Sequence, residues 1–313
     1  MLESYLNIMV VFALVLMGYI LSWKGMFDKN LMGVFSNLVL TIALPFNMFL
    51  NIIERFTRDE FLSLFKGMLL PALSIIITFG ISWVYARLTN VEITRRGVFK
   101  TMFTASNTIF MGLPINLAIF GEVSVPYVLL YYICNTTFFW TVGIYLISGD
   151  SQDPTIEQVK MDPLGVIKLL LSPAMLGFII GLIWMLLGIP EIPVLTKFAT
   201  HLSNLTTPIS MFVIGMIIYQ TGIKNLRMTK DTFGVLLGRY LISPLVVIVL
   251  SWFIHVPDMM LKVFIIQSAM PAQNTMPVLA ERYGADAEFA TTTQAYTFIL
   301  YLFIIPILIA IVH

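Results

Sequence analysis

Apolar positions in this chain gather into runs of about twenty residues, separated by short polar connections. A helix needs about 20 mostly apolar residues to cross the hydrocarbon of a bilayer. Ten windows meet that requirement, at approximately 4–22, 31–53, 61–86, 98–120, 125–148, 164–187, 194–219, 232–253, 259–280 and 289–312. Membrane-spanning β-strands would be about 10 residues long with alternating polarity. These runs are too long and too evenly apolar, so the pattern predicts an all-α membrane protein with ten transmembrane helices. The longest polar connection runs from Ser148 to Pro163 and divides the chain near its middle. It sets a first unit at 1–149, a connector at 150–162 and a second unit at 163–313.

Two windows break the pattern from within. The fourth contains "FTASNTIFMGLPINLAIFGE", which places Asn107, Gly112, Pro114, Asn116 and Gly121 in an otherwise apolar stretch. The ninth contains "SAMPAQNTMPVLAERYG", where Pro271 and Pro277 enclose Gln273, Asn274 and Thr275. A proline in a helix interior removes a donor and clashes with the preceding turn, at roughly 3 kcal/mol. The freed carbonyls cannot face lipid, where each unsatisfied polar group costs several kcal/mol. Two unwound segments near mid-membrane, lined by amides, are the expectation. A plain proline kink is the alternative for either window alone.

The halves also match. "PFNMF" in the second window answers "PISMF" in the seventh, and Gly121 and Gly284 each follow their proline, Pro114 or Pro277, by seven residues. With five windows per half, the repeats must run in opposite directions through the membrane. Broken helices four and nine, in corresponding positions of two inverted five-helix repeats, are the best sequence pointer to the binding site of a secondary transporter.

Charge orients the chain. Twelve loop lysines and arginines fall on one side, among them Lys24, Arg87, Arg95, Arg96 and Lys230, and four on the other: Arg55, Arg58, Lys197 and Lys262. The positive-inside bias makes the first side cytoplasmic, with both termini outside. The opening segment has no Lys or Arg before its apolar run, which is too long for a signal-peptide core, so it reads as a retained first helix.

Composition agrees. The chain is 58% hydrophobic and 11% charged, with net charge +1 and mean hydropathy +0.91, whereas water-soluble domains carry about 25% charged residues. No basic excess points to nucleic acid. Cys134, the single cysteine, has no partner for a disulfide or a zinc site and reads as a small buried side chain. An enzyme would need a nucleophile–base set, a metal motif or paired intramembrane acids. HExxH and GxSxG are absent, and the histidines are His201, His255 and His313. A pump would need a P-loop, also absent, and a channel repeated filter residues. No cofactor is expected.

The motifs carry a family resemblance. "LPFNMF", "NTIFMGLP", "PISMFVIG" and "MPAQNTMPVLAERYGAD", in that order along the whole chain, resemble the auxin efflux carrier family, which includes bacterial malate or malonate permeases and belongs to the bile/arsenite/riboflavin transporter superfamily. Lacking a long central loop, the chain is similar to the compact prokaryotic carriers. The resemblance implies a scaffold of helices 1, 2, 6 and 7, often dimeric, and a transport domain of helices 3–5 and 8–10 that moves like an elevator. It puts Asn107, Gly112, Pro114, Gln273, Asn274 and Pro277 at a crossing of helices four and nine. Asn135 to Thr137 and Thr291 to Thr297 pack beside it, and Asn47 and Ser210 form the outer flank. The implied function is secondary active transport of small organic anions, such as malate, malonate or auxin-like carboxylates, across the cytoplasmic membrane by a homodimer. Sodium-coupled carriage of a larger amphipathic anion is the alternative, a channel the weaker one.

No Asp or Glu lies inside a window, which weakens a proton relay through a buried carboxylate. Na+ held by carbonyls at the crossing, H+ through His201, or a substrate carrying its own proton remain as coupling routes. Arg239 lies about two turns inside the eighth window. It either snorkels to the interface or pairs in bidentate fashion with a substrate carboxylate. Gly177 and Gly181 form a small-xxx-small pair suited to helix packing.

Overall fold

The computed structural model describes residues 2–54, 57–156, 158–159, 171, 173–221 and 227–312. The opening of the sixth window, most of 160–172, and Arg55, Lys160, Lys168, Lys224 and His313 lie outside them. The fold is all-helical. The first half comprises α1 (Leu2–Trp23), α2 (Lys29–Leu38), α3 (Leu44–Ile53), α4 (Arg58–Leu64), α5 (Leu69–Leu88), α6 (Arg96–Thr104), α7 (Leu113–Phe120), α8 (Val125–Phe138) and α9 (Ile144–Ser148). The second comprises α10 (Pro173–Leu186), α11 (Pro193–Ser203), α12 (Thr206–Thr221), α13 (Lys230–Leu237), α14 (Ser243–Ser251), α15 (Asp258–Ser268), α16 (Met276–Arg282) and α17 (Ala287–Val312).

Several of these join into longer rods. Five are long and apolar enough to cross a membrane among the described residues: Asn30–Ile53, Phe65–Leu88, Val125–Ser148, Pro193–Gln220 and Lys230–Ser251. A sixth is α17 taken whole, bent by 51° between Ala287–Tyr301 and Phe303–Ala310. Pro306 clashes one turn back, at that bend. Ala13–Trp23 and Met175–Leu186 are shorter apolar helices.

Proline does not break every rod. Before Pro45 the helix widens into a π turn at Val39–Ala43, and before Pro244 into another at Gly238–Ile242. A π turn adds a residue to the ring, which makes room where a proline ring would strike the preceding turn. Both rods therefore run on. Pro114 likewise follows a π turn, Thr108–Gly112, and the helix runs through it. The interruptions of the fourth and ninth windows lie upstream of Pro114 and Pro277. There α6 and α15 stop outright, at Thr104 and Ser268, and the chain resumes as helix only after extended or irregular backbone. Gly121 and Gly284, both in the left-handed region (φ +73° and +64°), end the two resumed helices.

Close backbone approach holds the remaining helices together. α1 lies on α12, and α10 on α3. A Cβ on Gly215 would stand 2.1 Å from the Val15 carbonyl oxygen, and one on Gly177 would stand 2.1 Å from that of Pro45. Gly181 faces Phe49 in the same way, so the small-residue pair packs within the chain. Elsewhere, Arg95 pairs with Asp231 at 3.0 Å and Asp286 at 3.6 Å, and Lys230 donates to the Thr89 carbonyl at 2.8 Å. These bonds tie the start of α6 to those of α13 and α17, and α13 to the end of α5.

Candidate functional site: the crossing of two broken helices

The breaks after α6 and α15 meet. Ser106 and Ala272 form an antiparallel β-bridge, isolated from any strand, and the Asn107 N–H donates to the Pro271 carbonyl at 2.8 Å. Backbone groups freed by the breaks thus satisfy one another, which is what an apolar interior requires.

Side-chain amides complete the joint. Asn135, on α8, accepts from the Ser106 N–H and donates to the Ser106 carbonyl, both at 2.9 Å. Gln294, on α17, donates to the Ala272 carbonyl at 2.8 Å. Each partner of the bridge is therefore held by an amide from a neighbouring helix. Asn107 donates to Asn274 Oδ1 at 2.6 Å, Gln267 to the Thr108 carbonyl at 3.2 Å, and Asn116 to the Gly112 carbonyl at 2.7 Å. A side chain at Gly112 would run into Gln267, since its Cβ would stand 2.3 Å from Oε1; glycine is required by that approach. All of these amides are buried.

The inventory leaves acceptors over. Among the described residues Asn107 Oδ1, Asn116 Oδ1, Gln267 Oε1, Gln294 Oε1 and Thr275 Oγ1 are buried without a hydrogen-bond partner. Unpaired buried polar groups cost about 1–3 kcal/mol each, so a cluster of them calls for a function. The first turn resuming after the break adds donors. Its first intrahelical bond runs from the Gly112 N–H to the Asn107 carbonyl, so, among the described residues, the N–H groups of Ile109 and Met111 precede it without intrahelical acceptors.

Arg239 is fully buried. It neither reaches an interface nor stands free for a ligand. Its guanidinium donates to the carbonyls of Thr104 (2.6 Å), Phe103 (3.2 Å), Met270 (3.1 Å) and Ser268. Phe103 and Thr104 carry the last carbonyls of α6 and Ser268 that of α15, and Met270 lies in the break just beyond it. Gly238 permits the approach, because a Cβ there would stand 2.5 Å from the Phe103 ring.

Of the residues predicted from sequence, Asn107, Gly112, Asn116, Asn135 and Asn274 come together directly. Thr275 and Pro277 are buried at the start of α16, and Gln273 is half-buried beside them. Pro114 stands at the start of α7. Asn47 lies elsewhere in the bonding pattern: it donates to Ser203 on α11 at 2.8 Å and accepts from Asn51. Ser210 is buried with its hydroxyl unpartnered. His201 is exposed on α11. Gln294 lies in the patch Thr291 to Thr297 expected beside the crossing, whereas Gln267 and Ser106 are not marked by the motifs, although Gln267 is the one amide in the apolar run "VFIIQSAM".

Two breaks joined at a polar crossing inside an apolar helical protein match the discontinuous-helix pattern found in transporters. The chain matches the family described as membrane transport protein over residues 4–309, and it belongs to that family, as the motif resemblance implied. A protein named as an uncharacterized transporter from Methanocaldococcus jannaschii is 24% identical over 305 residues, covering 91% of this chain and 93% of the relative. Another, from Methanothermobacter thermautotrophicus, is 22% identical over 311 residues, covering 97% and 96%.

Proposed function

We propose that this protein is a secondary active transporter of small organic anions, built as two inverted five-helix repeats, with its cargo site at the crossing. The observation that carries the reading is the electrical asymmetry of that crossing. A helix end bears about half a charge, negative at its C-terminus and positive at its N-terminus. The two C-terminal ends, of α6 and α15, are already neutralised by Arg239. The N–H groups opening toward α7 are not, so the uncompensated field favours an anion. The unpaired amide oxygens beside them suit a cargo that also has O–H to donate, a hydroxy acid such as malate or a carboxyl that keeps its proton.

The packing supports a division of labour. α1, α2, α3, α10, α11 and α12 form one group, in which glycines bring α1 against α12 and α10 against α3. The broken helices, with α5, α8, α13, α14 and α17, form another, joined at the crossing and by the Arg95 ion pairs. The second group moving as a body against the first is the elevator reading, with the first serving as scaffold and homodimer surface. The lysine and arginine bias puts the protein in the cytoplasmic membrane with both termini outside.

The test is uptake of labelled malate, malonate and indole acetate into proteoliposomes, with sodium and proton gradients imposed separately. Saturable uptake of a carboxylate, absent from protein-free vesicles, is expected. Flux that never saturates would indicate a channel, and no carboxylate uptake would remove the anion assignment.

A further inference from the structure

We propose that Arg239 is a resident cation, occupying the carbonyl cradle that a coupling ion would otherwise fill, so that the carrier works without sodium. The inference rests on the transport reading for its consequence, but its geometry stands separately. Discontinuous helices in transporters use unwound carbonyls and half-helix C-termini to coordinate a coupling cation. A hard monovalent or divalent cation requires several oxygen ligands gathered at one point. Here Phe103, Thr104, Ser268 and Met270 contribute four carbonyls from two chain breaks, and the guanidinium of Arg239 reaches all of them.

The charges balance. Two helix C-termini, at about half a negative charge each, meet one positive charge. The guanidinium stays charged in a protein, and its bonds go to main-chain oxygens rather than to a carboxylate. Placement is built into the backbone: Arg239 sits in the π turn Gly238–Ile242, and Gly238 lets that turn close on the Phe103 ring. A tethered cation cannot dissociate into either compartment. It therefore holds the two breaks together in every state of the cycle and contributes no ion gradient to the cargo.

The test is a cation-rescue experiment on the purified full-length protein. Arg239→Ala should lower the melting temperature. Millimolar methylguanidinium chloride should raise it again, more than choline chloride does, while leaving the wild type unmoved. Equal shifts with both salts, or a wild-type protein stabilised specifically by sodium chloride, would overturn the proposal. Where Arg239→Ala yields no folded protein, Arg239→Lys and Arg239→Met decide. Lysine markedly more stable than methionine is the expected result, and equal stability would overturn it. In proteoliposomes, uptake by the wild type should be unchanged when choline replaces sodium on both sides, and sodium-driven uptake would overturn the proposal. If no carboxylate is taken up at all, the transport reading fails and the melting experiment alone decides the arginine.

Discussion

Asn107 donates a 2.6 Å hydrogen bond to Asn274 across 167 residues of chain. Each residue lies in the break of its own helix, and each break would be unstable in an apolar interior without the other. The crossing is thus a mutual repair, in which backbone and amide groups opened by one interruption are closed by the second. That dependence explains why the two interruptions occur as a pair.

The β-bridge makes the first prediction. Opposed residues in an antiparallel pair lie about 4.5–5.5 Å apart at Cα, within the range of a disulfide. With Cys134 replaced by alanine, Ser106→Cys combined with Ala272→Cys should oxidise to an intramolecular disulfide, detectable by intact mass with and without reductant. Free thiols persisting under oxidising conditions would show that the breaks do not meet.

Asn135 and Gln294 hold the same bridge by different numbers of bonds. Asn135→Ala strands the Ser106 N–H and removes one of two bonds to the Ser106 carbonyl, which also accepts from the Thr108 N–H at 3.0 Å, whereas Gln294→Ala removes one bond to the Ala272 carbonyl. A stranded N–H costs about 1–3 kcal/mol and an under-satisfied carbonyl, with its two lone pairs, is better tolerated, so Asn135→Ala should destabilise the protein more, measured as the larger fall in melting temperature. The reverse order would contradict the described bonding.

Helix packing depends on specific glycines. Gly215→Ala and Gly177→Ala would each place a methyl 2.1 Å from a backbone oxygen, and overpacking of this kind costs about 1–3 kcal/mol. Gly33, in α2, has nothing within 4 Å of its would-be Cβ. Gly33→Ala should instead gain up to about 1 kcal/mol of helix propensity. Thermal unfolding of the three variants checks the contrast in sign.

Asp150, just beyond α9, accepts from the N–H groups of Gly97 and Val98 at 2.7 and 2.8 Å. Burial pushes its carboxyl up to about 7, against the pull of those amides and of Lys100 and Arg96. A folded value above the unfolded one means stability fully present below the unfolded value, about pH 4, and lost as pH rises through about 7. The melting temperature of the wild type relative to Asp150→Asn should therefore fall between about pH 4 and pH 7 and level off above that. A difference that grows with pH would contradict this.

Much of the site could be read from residue types. Prolines with amides beside them marked Pro114 and Pro277, and Gly121 and Gly284 at equal spacing ended both resumed helices. The sequence could not show which prolines break a helix. Pro45, Pro114 and Pro244 all follow π turns and leave the helix around them continuous, because a one-residue widening relieves the clash without leaving a pattern in side-chain polarity, and the fourth window breaks upstream, at 105–107, where no proline stands. Arg239 stands out in sequence as a charge inside a window, with the interface or a substrate carboxylate as its expected partner, but its partners are main-chain carbonyls, which every residue has and no motif displays. Gln267 became a site residue only because α15 ends beside Thr108, and which helix ends meet is a tertiary fact.

The central claim, that the crossing receives the cargo, is tested most directly by comparing carboxylate uptake in proteoliposomes for the wild type, Asn107→Leu and Asn274→Leu, with folding verified by unchanged elution as a single species. The account predicts that each leucine variant, folded, loses saturable uptake. Wild-type uptake by both variants would contradict it.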